Sequence, residues 1–221
     1  MHVLTWNLFH GRAVPGAGRS LLHEFADALA GWEWDVALLQ EVPLWWPGPL
    51  AAACRADERH ALTSRNALLP LRRMLAERWP DVMKSQGGGC NAILVRGEAI
   101  AEHRDVVLRR GPERRVAHGV RLAATGAWIV NLHATAHVPA HAQEDLDKAR
   151  EAALAWAGAA PLVLGGDLNL RSPRVPGFLH VAARDVDHVF ARGLHPDGPA
   201  TTRAHGALSD HPPLLVSLST P

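Results

Sequence analysis

This chain of 221 residues contains few cysteines and few lysines, and its net charge is low. Its two cysteines, Cys54 and Cys90, lie far apart and lack the spacing of a metal-binding pair, so we expect free thiols in a reducing compartment. The formal net charge of +1 at pH 7 excludes a strong field of either sign, such as the basic surface of a protein that coats nucleic acid or binds membranes by charge.

Long apolar runs are also absent from the sequence. No stretch approaches the ~18 consecutive apolar residues of a membrane-spanning helix, and the N-terminus lacks a charged segment followed by an apolar one. We therefore expect a soluble, cytoplasmic monomer without a membrane span, with an exported and processed form as the alternative. With 48% hydrophobic residues and no linker, residues 1–221 are expected to form one domain.

Arginine supplies nearly all of the positive charge, because Lys84 and Lys148 are the only lysines. Arginine makes bidentate contacts with phosphate, although GC-rich coding gives the same composition and is the preferred interpretation. Arg12 and Arg115 are candidates for contacts with substrate phosphates, with solvated surface charges as the alternative.

Adjacent tryptophans stand in the proline-rich stretch at residues 43–49. Trp45 and Trp46 are candidates for stacking on a base or ring, with a loop folded back on the core as the preferred alternative. Asn91, which follows a run of glycines, is a further candidate substrate-binding residue, with a turn residue as the alternative.

Hydrophobic periodicity predicts strands mixed with helices, a mixed α/β architecture. An amphipathic helix is expected to begin after Ser20 as its N-cap, with others at residues 68–79 and 142–156. Strands are expected at residues 3–6, 35–39, 91–95, 99–108, 114–122, 128–132, 161–164, 186–190 and 214–218.

Polar side chains recur where the predicted strands end. Asp167 and Asn169 follow an apolar run and two glycines, and their spacing places them on one side of an extended chain. The other strand-end residues are Asn7, Glu41, His133, Asp187, Asp210 and His211. Carboxylates that converge repel one another unless a divalent cation with oxygen ligands compensates. The pattern predicts metal-assisted phosphoryl hydrolysis, with side chains that merely cap turns as the alternative.

Six short motifs occur in a fixed order along the chain: Thr5-Trp6-Asn7, Leu39-Gln40-Glu41, Asn131-Leu132-His133, Gly166-Asp167-Leu168-Asn169, Asp187-His188-Val189-Phe190 and Ser209-Asp210-His211. Together they resemble the endonuclease/exonuclease/phosphatase superfamily, which includes DNase I and the abasic-site endonucleases. The resemblance spans residues 5–218. It implies a four-layer αββα sandwich, in which two mixed β-sheets pack face to face with helices outside.

The resemblance also implies a metal site and an attacking water. Glu41 would be the principal ligand of a Mg²⁺ or Mn²⁺ ion, with Asn7 and Asp210 close to the cation. Asp167 would orient or deprotonate the attacking water. Asn169 would hold that water or a phosphate oxygen.

Further implied roles concern the scissile phosphate. His211 would contact it, with Asp187 orienting the imidazole and favouring its protonated form. His133 matches a position that contacts the phosphate or assists the leaving group. Two positions depart from the family pattern: Phe9 stands where abasic-site enzymes carry an acidic residue, and His188 stands where tyrosine is common.

We therefore expect a Mg²⁺- or Mn²⁺-dependent phosphoesterase that cleaves phosphodiester bonds, with a nucleic acid as the favoured substrate. The alternative is a phosphatase or phosphodiesterase of a small molecule, such as an inositol phosphate, a nucleotide or a lipid head group, which the low net charge favours. A binding module without activity is a third hypothesis. It is disfavoured because Glu41, Asp167 and His211 are all present.

Overall fold

Two β-sheets form the centre of the molecule in a computed structural model that describes residues 1–63, 68–79, 81 and 89–220. The first sheet has the order β11-β13-β1-β2-β4-β3, and β12 also pairs with β13. Its strands are β1 (His2–Asn7), β2 (Val36–Val42), β3 (Asp57–Leu62), β4 (Cys90–Val95), β11 (His195–Pro196), β12 (Thr201–Thr202) and β13 (Leu214–Ser219).

The second sheet has the order β5-β6-β7-β8-β10-β9. Its strands are β5 (Ile100–Arg109), β6 (Arg115–Leu122), β7 (Trp128–His133), β8 (Leu162–Asp167), β9 (Leu179–Arg184) and β10 (Asp187–Arg192). The described helices are α1 (Leu22–Gly31), α2 (Pro47–Cys54), α3 (Leu69–Arg78) and α4 (Pro139–Ala157), together with a 3₁₀ turn at Phe9–Gly11.

Each sheet has one parallel pair of strands at its centre. β1 runs parallel to β2 in the first sheet, and β7 runs parallel to β8 in the second. The carboxyl ends of the two pairs meet, since Asn7 at the end of β1 contacts Asp167 at the end of β8. Parallel strands deliver their terminal side chains to one edge of a sheet, so this edge is where a site is expected.

Alternating side chains build three apolar layers. Leu38 and Ile93 of the first sheet pack with Val163 of the second between the sheets. The neighbouring Leu39 faces the opposite way and packs with Phe25 of α1, as the two-residue period of a strand requires.

Helix α4 covers the outer face of the second sheet through buried residues that include Leu146 and Ala149. The predicted αββα sandwich is therefore confirmed.

Several local predictions need correction. Helix α1 begins at Leu22 and has no side-chain cap, so the prediction of Ser20 as its N-cap is wrong. Helix α2 was not predicted because it begins in the proline-rich stretch, where Pro47 occupies the first turn, a position that tolerates proline. Strands β3 and β9 also escaped prediction. Both are edge strands with mostly exposed side chains.

Cys54 and Cys90 are buried free thiols, as expected from the sequence. The run of glycines before β4 lies partly outside the described residues. Among the residues that the structure describes, none of the helices is long and apolar enough to cross a membrane.

Candidate active site

Three site residues lie side by side across the second sheet. Asp167 is paired in register with His133 of β7 on one side and with Asp187 of β10 on the other. Gly166 makes this possible, because it has a φ of 134° and an added Cβ would lie 2.0 Å from the carbonyl oxygen of Leu132. No L side chain fits there, so glycine is needed for β8 to approach β7 at the site.

The first sheet adds residues from the ends of β1 and β2. The amide Nδ2 of Asn7 donates to Oδ2 of Asp167 at 2.9 Å, and its Oδ1 accepts from the backbone N–H of Phe9 at 2.9 Å. Glu41 lies in an irregularity of the β2–β4 pairing with a φ of 50°, which turns its side chain toward His133. Oε1 of Glu41 lies 3.9 Å from Nδ1 of His133.

Two hydrogen bonds fix the loop before β13 against β1, and a third lies within the loop. Ser209 Oγ donates to the carbonyl oxygen of Asn7 at 2.6 Å and accepts from the N–H of His211 at 3.1 Å. The indole N–H of Trp6 donates to the carbonyl oxygen of His211 at 2.8 Å. These bonds place the His211 ring against Asp187, with 2.8 Å between Nδ1 and Oδ2.

Two imidazoles flank the Asp167 carboxylate. Its Oδ2 lies 3.5 Å from Nε2 of His133 and 3.9 Å from Nε2 of His211. Its Oδ1 accepts from the backbone N–H of Asn169 at 3.0 Å. The Asn169 side chain donates to the carbonyl oxygen of Ala134 at 3.0 Å, which fixes the turn after β8.

The two imidazoles carry different charges at neutral pH. Burial, followed by the positive charge of Arg115, lowers the pKa of His133 to about 3, so this ring is neutral. Burial opposes protonation of His211, but its hydrogen bond to Asp187 and the charges of Asp187 and Asp167 raise its pKa to about 9. His211 is therefore an imidazolium ion.

The carboxylates also differ from one another. Burial raises the pKa of Asp167, although the charge of His211 and the hydrogen bond from Asn7 oppose the rise. Burial likewise raises the pKa of Asp187 to about 6. Burial would raise the pKa of Glu41 too, but the hydrogen bond and charge of His10 outweigh it and hold that pKa well below its ordinary value.

The donor atoms around Glu41 fit a divalent cation. Carboxylate, amide and imidazole groups of Glu41, Asn7 and His10 lie together there, a set that suits hard or borderline divalent ions. A second group consists of Asp167, Asp187 and His211, whose ligand atoms lie within 4.8 Å of one another. Both groups have the chemistry of a divalent-metal site.

The predicted catalytic and metal-site residues thus fall into one region, with differences in detail. Asp210 is at its rim, half exposed, with Oδ1 4.0 Å from Nε2 of His211. His10 was not predicted, although its Nε2 lies 3.0 Å from Oε2 of Glu41. It stands beside an irregular glycine-rich segment that shows no hydrophobic periodicity. Its only signal in the sequence was that a histidine follows the first motif closely.

The predicted substrate-binding residues are less well matched to that role. Trp46 is 3% exposed and packs on Phe25, so its ring offers no face to a substrate. Trp45 is half-buried beside the same core. The Asn91 side chain is fully buried and donates to the carbonyl oxygen of Val116, so it ties β4 to β6 inside the sandwich.

The two arginines lie nearer the site. The Arg12 guanidinium stacks on Phe9 at 3.7 Å from the ring centroid, and Nε donates to the Phe9 carbonyl oxygen. Arg115 is nearly buried, pairs with Glu113, and acts on His133 through its charge. Its Nε has no hydrogen-bond partner among the described residues.

A buried amide pair near the site was also not predicted from the sequence. Gln40 Nε2 donates to Oδ1 of Asn131 at 2.8 Å, and Asn131 Nδ2 donates to the carbonyl oxygens of Leu39 and Ala92 at 2.9 Å each. These bonds join the two sheets beside Glu41, which follows Gln40 in β2. Asn131 is the first residue of one of the six motifs, and this was the only sign in the sequence that it lies near the site.

A family model described as the endonuclease/exonuclease/phosphatase family matches residues 4–211 of the chain. A comparison with curated protein sequences finds no match. The family match covers all of the catalytic and metal-site residues discussed above.

Solved structures with the same fold match the whole length of the chain. An endonuclease/exonuclease/phosphatase from Beutenbergia cavernae DSM 12333 is 18% identical with a TM-score of 0.77, and the match covers 100% of this chain and 71% of that one. A functionally unknown conserved protein from Enterococcus faecalis V583 is 15% identical with a TM-score of 0.75, covering 100% of both chains. TDP2 from Caenorhabditis elegans is 16% identical with a TM-score of 0.71, covering 99% of this chain and 74% of that one.

Proposed function

This chain belongs to the endonuclease/exonuclease/phosphatase family, and from that membership and the geometry of the site we propose that it is a divalent-metal-dependent hydrolase of phosphodiester bonds in nucleic acid. Members of the family are generally phosphoester hydrolases. One observation carries the proposal. The buried Asp167 carboxylate lies between a neutral imidazole of His133 and a protonated imidazole of His211.

Each of these side chains has a task in hydrolysis. Asp167 accepts a proton from the attacking water, and its raised pKa makes it a better base than an ordinary carboxylate. His211 donates a charged hydrogen bond to a phosphoryl oxygen and offsets the negative charge that develops there. The Asn7 amide and the Asn169 backbone hold the two Asp167 oxygens in place.

Glu41 would hold the cation, with Asn7 beside it and Asp210 at the rim. Mg²⁺ or Mn²⁺ bound there would supply positive charge to the phosphate and its leaving oxygen. His133 is neutral and lies between Glu41 and Asp167, where it can donate a hydrogen bond to the substrate phosphate.

Small phosphate esters are a second candidate substrate class. The net charge of +1 and the burial of Trp46 favour it, because both weaken the case for a long, stacked nucleic-acid strand. Arg12 and the half-buried Trp45 favour nucleic acid. We further infer a cytoplasmic monomer, in keeping with the two free thiols.

A substrate panel tests the proposal. Plasmid DNA, single-stranded DNA, RNA, nucleotides, inositol phosphates and phosphorylated lipid head groups are incubated with the protein and Mg²⁺ or Mn²⁺, with EDTA as the control. We expect cleavage of a nucleic acid that EDTA stops. Cleavage of the small molecules alone would show that the substrate is a small phosphate ester and not a nucleic acid. If no phosphate ester is hydrolysed with either metal, the proposal is overturned.

A further inference from the structure

His10 makes a direct polar contact with the residue proposed to hold the cation. Its Nε2 lies 3.0 Å from Oε2 of Glu41, and the two side chains are only 16% and 21% exposed. The sequence motifs assign no function to His10, and the proposed function gives it no task in hydrolysis. The question is whether this imidazole only orients Glu41 or binds the same ion.

The backbone aims His10 at Glu41 through an uncommon conformation. Phe9 and His10 have φ values of 50° and 54°, and Glu41 has a φ of 50°. Left-handed conformations are uncommon in residues other than glycine. The turn is held by hydrogen bonds from the N–H of Leu8 to the Gln40 carbonyl oxygen at 2.9 Å and from the N–H of Arg12 to the Phe9 carbonyl oxygen at 3.1 Å.

The spacing of the two atoms matches a shared ion. Two ligand atoms about 2.1 Å from one ion and at right angles to each other lie about 3.0 Å apart. The Nε2–Oε2 distance of 3.0 Å has this value. It is also the length of a hydrogen bond, and the charge of a bound ion distinguishes the two arrangements.

A cation bound to Glu41 favours the shared ion over the hydrogen bond. A proton on Nε2 of His10 would then point at a doubly charged ion a few ångströms away, whereas the unprotonated nitrogen offers it a lone pair. The ring is nearly buried and so has little freedom to turn away. Its Nδ1 atom is buried and has no hydrogen-bond partner among the described residues, so no second hydrogen bond fixes which ring nitrogen carries a proton. The unprotonated Nε2 is therefore the atom that an ion on Glu41 would meet, as for histidine ligands in general.

We propose that His10 is a nitrogen ligand of the cation held by Glu41, and that the site consequently prefers Mn²⁺ or another transition-metal ion to Mg²⁺. Imidazole suits transition metals, whereas Mg²⁺ prefers oxygen ligands. This inference rests on the metal site of the proposed function and concerns which ion that site selects.

Pulsed electron paramagnetic resonance of the Mn²⁺-loaded protein tests the bond directly. The echo modulation from a coordinated ¹⁴N nucleus is expected in the wild type, absent in His10→Gln and retained in His133→Gln. His133 is the matched control, because its Nδ1 also lies near Glu41, 3.9 Å from Oε1. If His10→Gln does not fold, labelling the histidines of the wild type with ¹⁵N identifies a histidine ligand by the change in modulation.

Calorimetric titrations with Mn²⁺ and with Mg²⁺ give a second readout. His10→Gln should weaken Mn²⁺ binding by roughly tenfold or more and weaken Mg²⁺ binding much less. The ratio of the affinity for Mn²⁺ to that for Mg²⁺ should therefore fall. No nitrogen modulation in the wild type, modulation that persists in His10→Gln, or equal weakening for both ions would overturn the inference and leave His10 as a residue that orients Glu41. None of these measurements needs hydrolysis, so an inactive protein with nitrogen-bound Mn²⁺ would contradict only the proposed function.

Discussion

Nδ1 of His211 lies 2.8 Å from Oδ2 of Asp187, and this contact gives the site its fixed positive charge. Asp187 is itself in register with Asp167 across β10 and β8. The imidazolium therefore faces the buried carboxylate that we propose as the base. Its pKa of about 9 and the pKa of about 6 for Asp187 define a pH range in which both groups are charged.

The first prediction concerns this pair. Because the pKa of His211 is raised, its proton is present at neutral pH and is lost as the pH rises through about 9, so activity should fall there. Asp187→Asn removes the carboxylate that raises this pKa, and the alkaline limb of the pH–rate profile should move to lower pH. Histidine NMR titration and kcat/KM against pH measure the shift. Asp185→Asn, an exposed neighbour, is the control. An unchanged alkaline limb in Asp187→Asn would contradict the assignment.

The second prediction concerns Asp167 as a base. Asp167→Asn keeps one oxygen, which can accept the hydrogen bond from Asn7, and loses the acceptor of the Asn169 backbone N–H, so the fold should survive with a local loss of stability. The amide cannot take up a proton, and kcat should fall by roughly 10²- to 10⁴-fold. Initial rates on the cleaved substrate measure the loss, and circular dichroism checks the fold. Asp185→Asn again serves as the matched control, and a folded Asp167→Asn protein with unchanged kcat would exclude the role.

The third prediction concerns the metal. EDTA should stop hydrolysis, and added Mn²⁺ or Mg²⁺ should restore it. Glu41→Gln removes the charged ligand and should weaken cation binding by about 10- to 100-fold, whereas Glu151→Gln on the exposed side of α4 should have no effect. Calorimetric titration measures both affinities. Full turnover after chelation, confirmed by elemental analysis, would show that the reaction does not need a metal.

The gathering of the strand-end residues was predictable from the sequence. Asp167 was expected at the end of a buried strand, and the motif order implied that Glu41 and His211 would join it. Asn169 was expected on the same side of an extended chain, but β8 ends at Asp167 and Asn169 has a φ of 51°. The reason is that buried strands are recognisable from their apolar runs, and parallel strands end at a common edge. The residues at the ends of predicted strands thus indicate which side chains come together in the folded chain.

Features that depend on contacts between distant segments were not predictable. Trp46 is buried because its ring packs against Phe25 of α1 and against Gly11, and adjacent tryptophans in a proline-rich stretch do not reveal such neighbours. The contact between His10 and Glu41 depends on left-handed residues in an irregular turn. No hydrophobic period marks such a turn, so only the folded chain shows its direction.

The last prediction concerns Gly166, whose conformation places Asp167 at the site. Gly166→Ala brings a methyl group to 2.0 Å from the Leu132 carbonyl oxygen at a φ of 134°, so β7 and β8 must separate. We expect the free energy of unfolding to fall by more than about 3 kcal/mol, since the strained backbone alone costs about 1–3 kcal/mol. Gly126→Ala is the matched control: it has a φ of 71° with nothing within 4 Å, and should cost only about 1 kcal/mol. Urea unfolding measures both variants. Equal losses would show that the close approach of β8 to β7 does not require glycine.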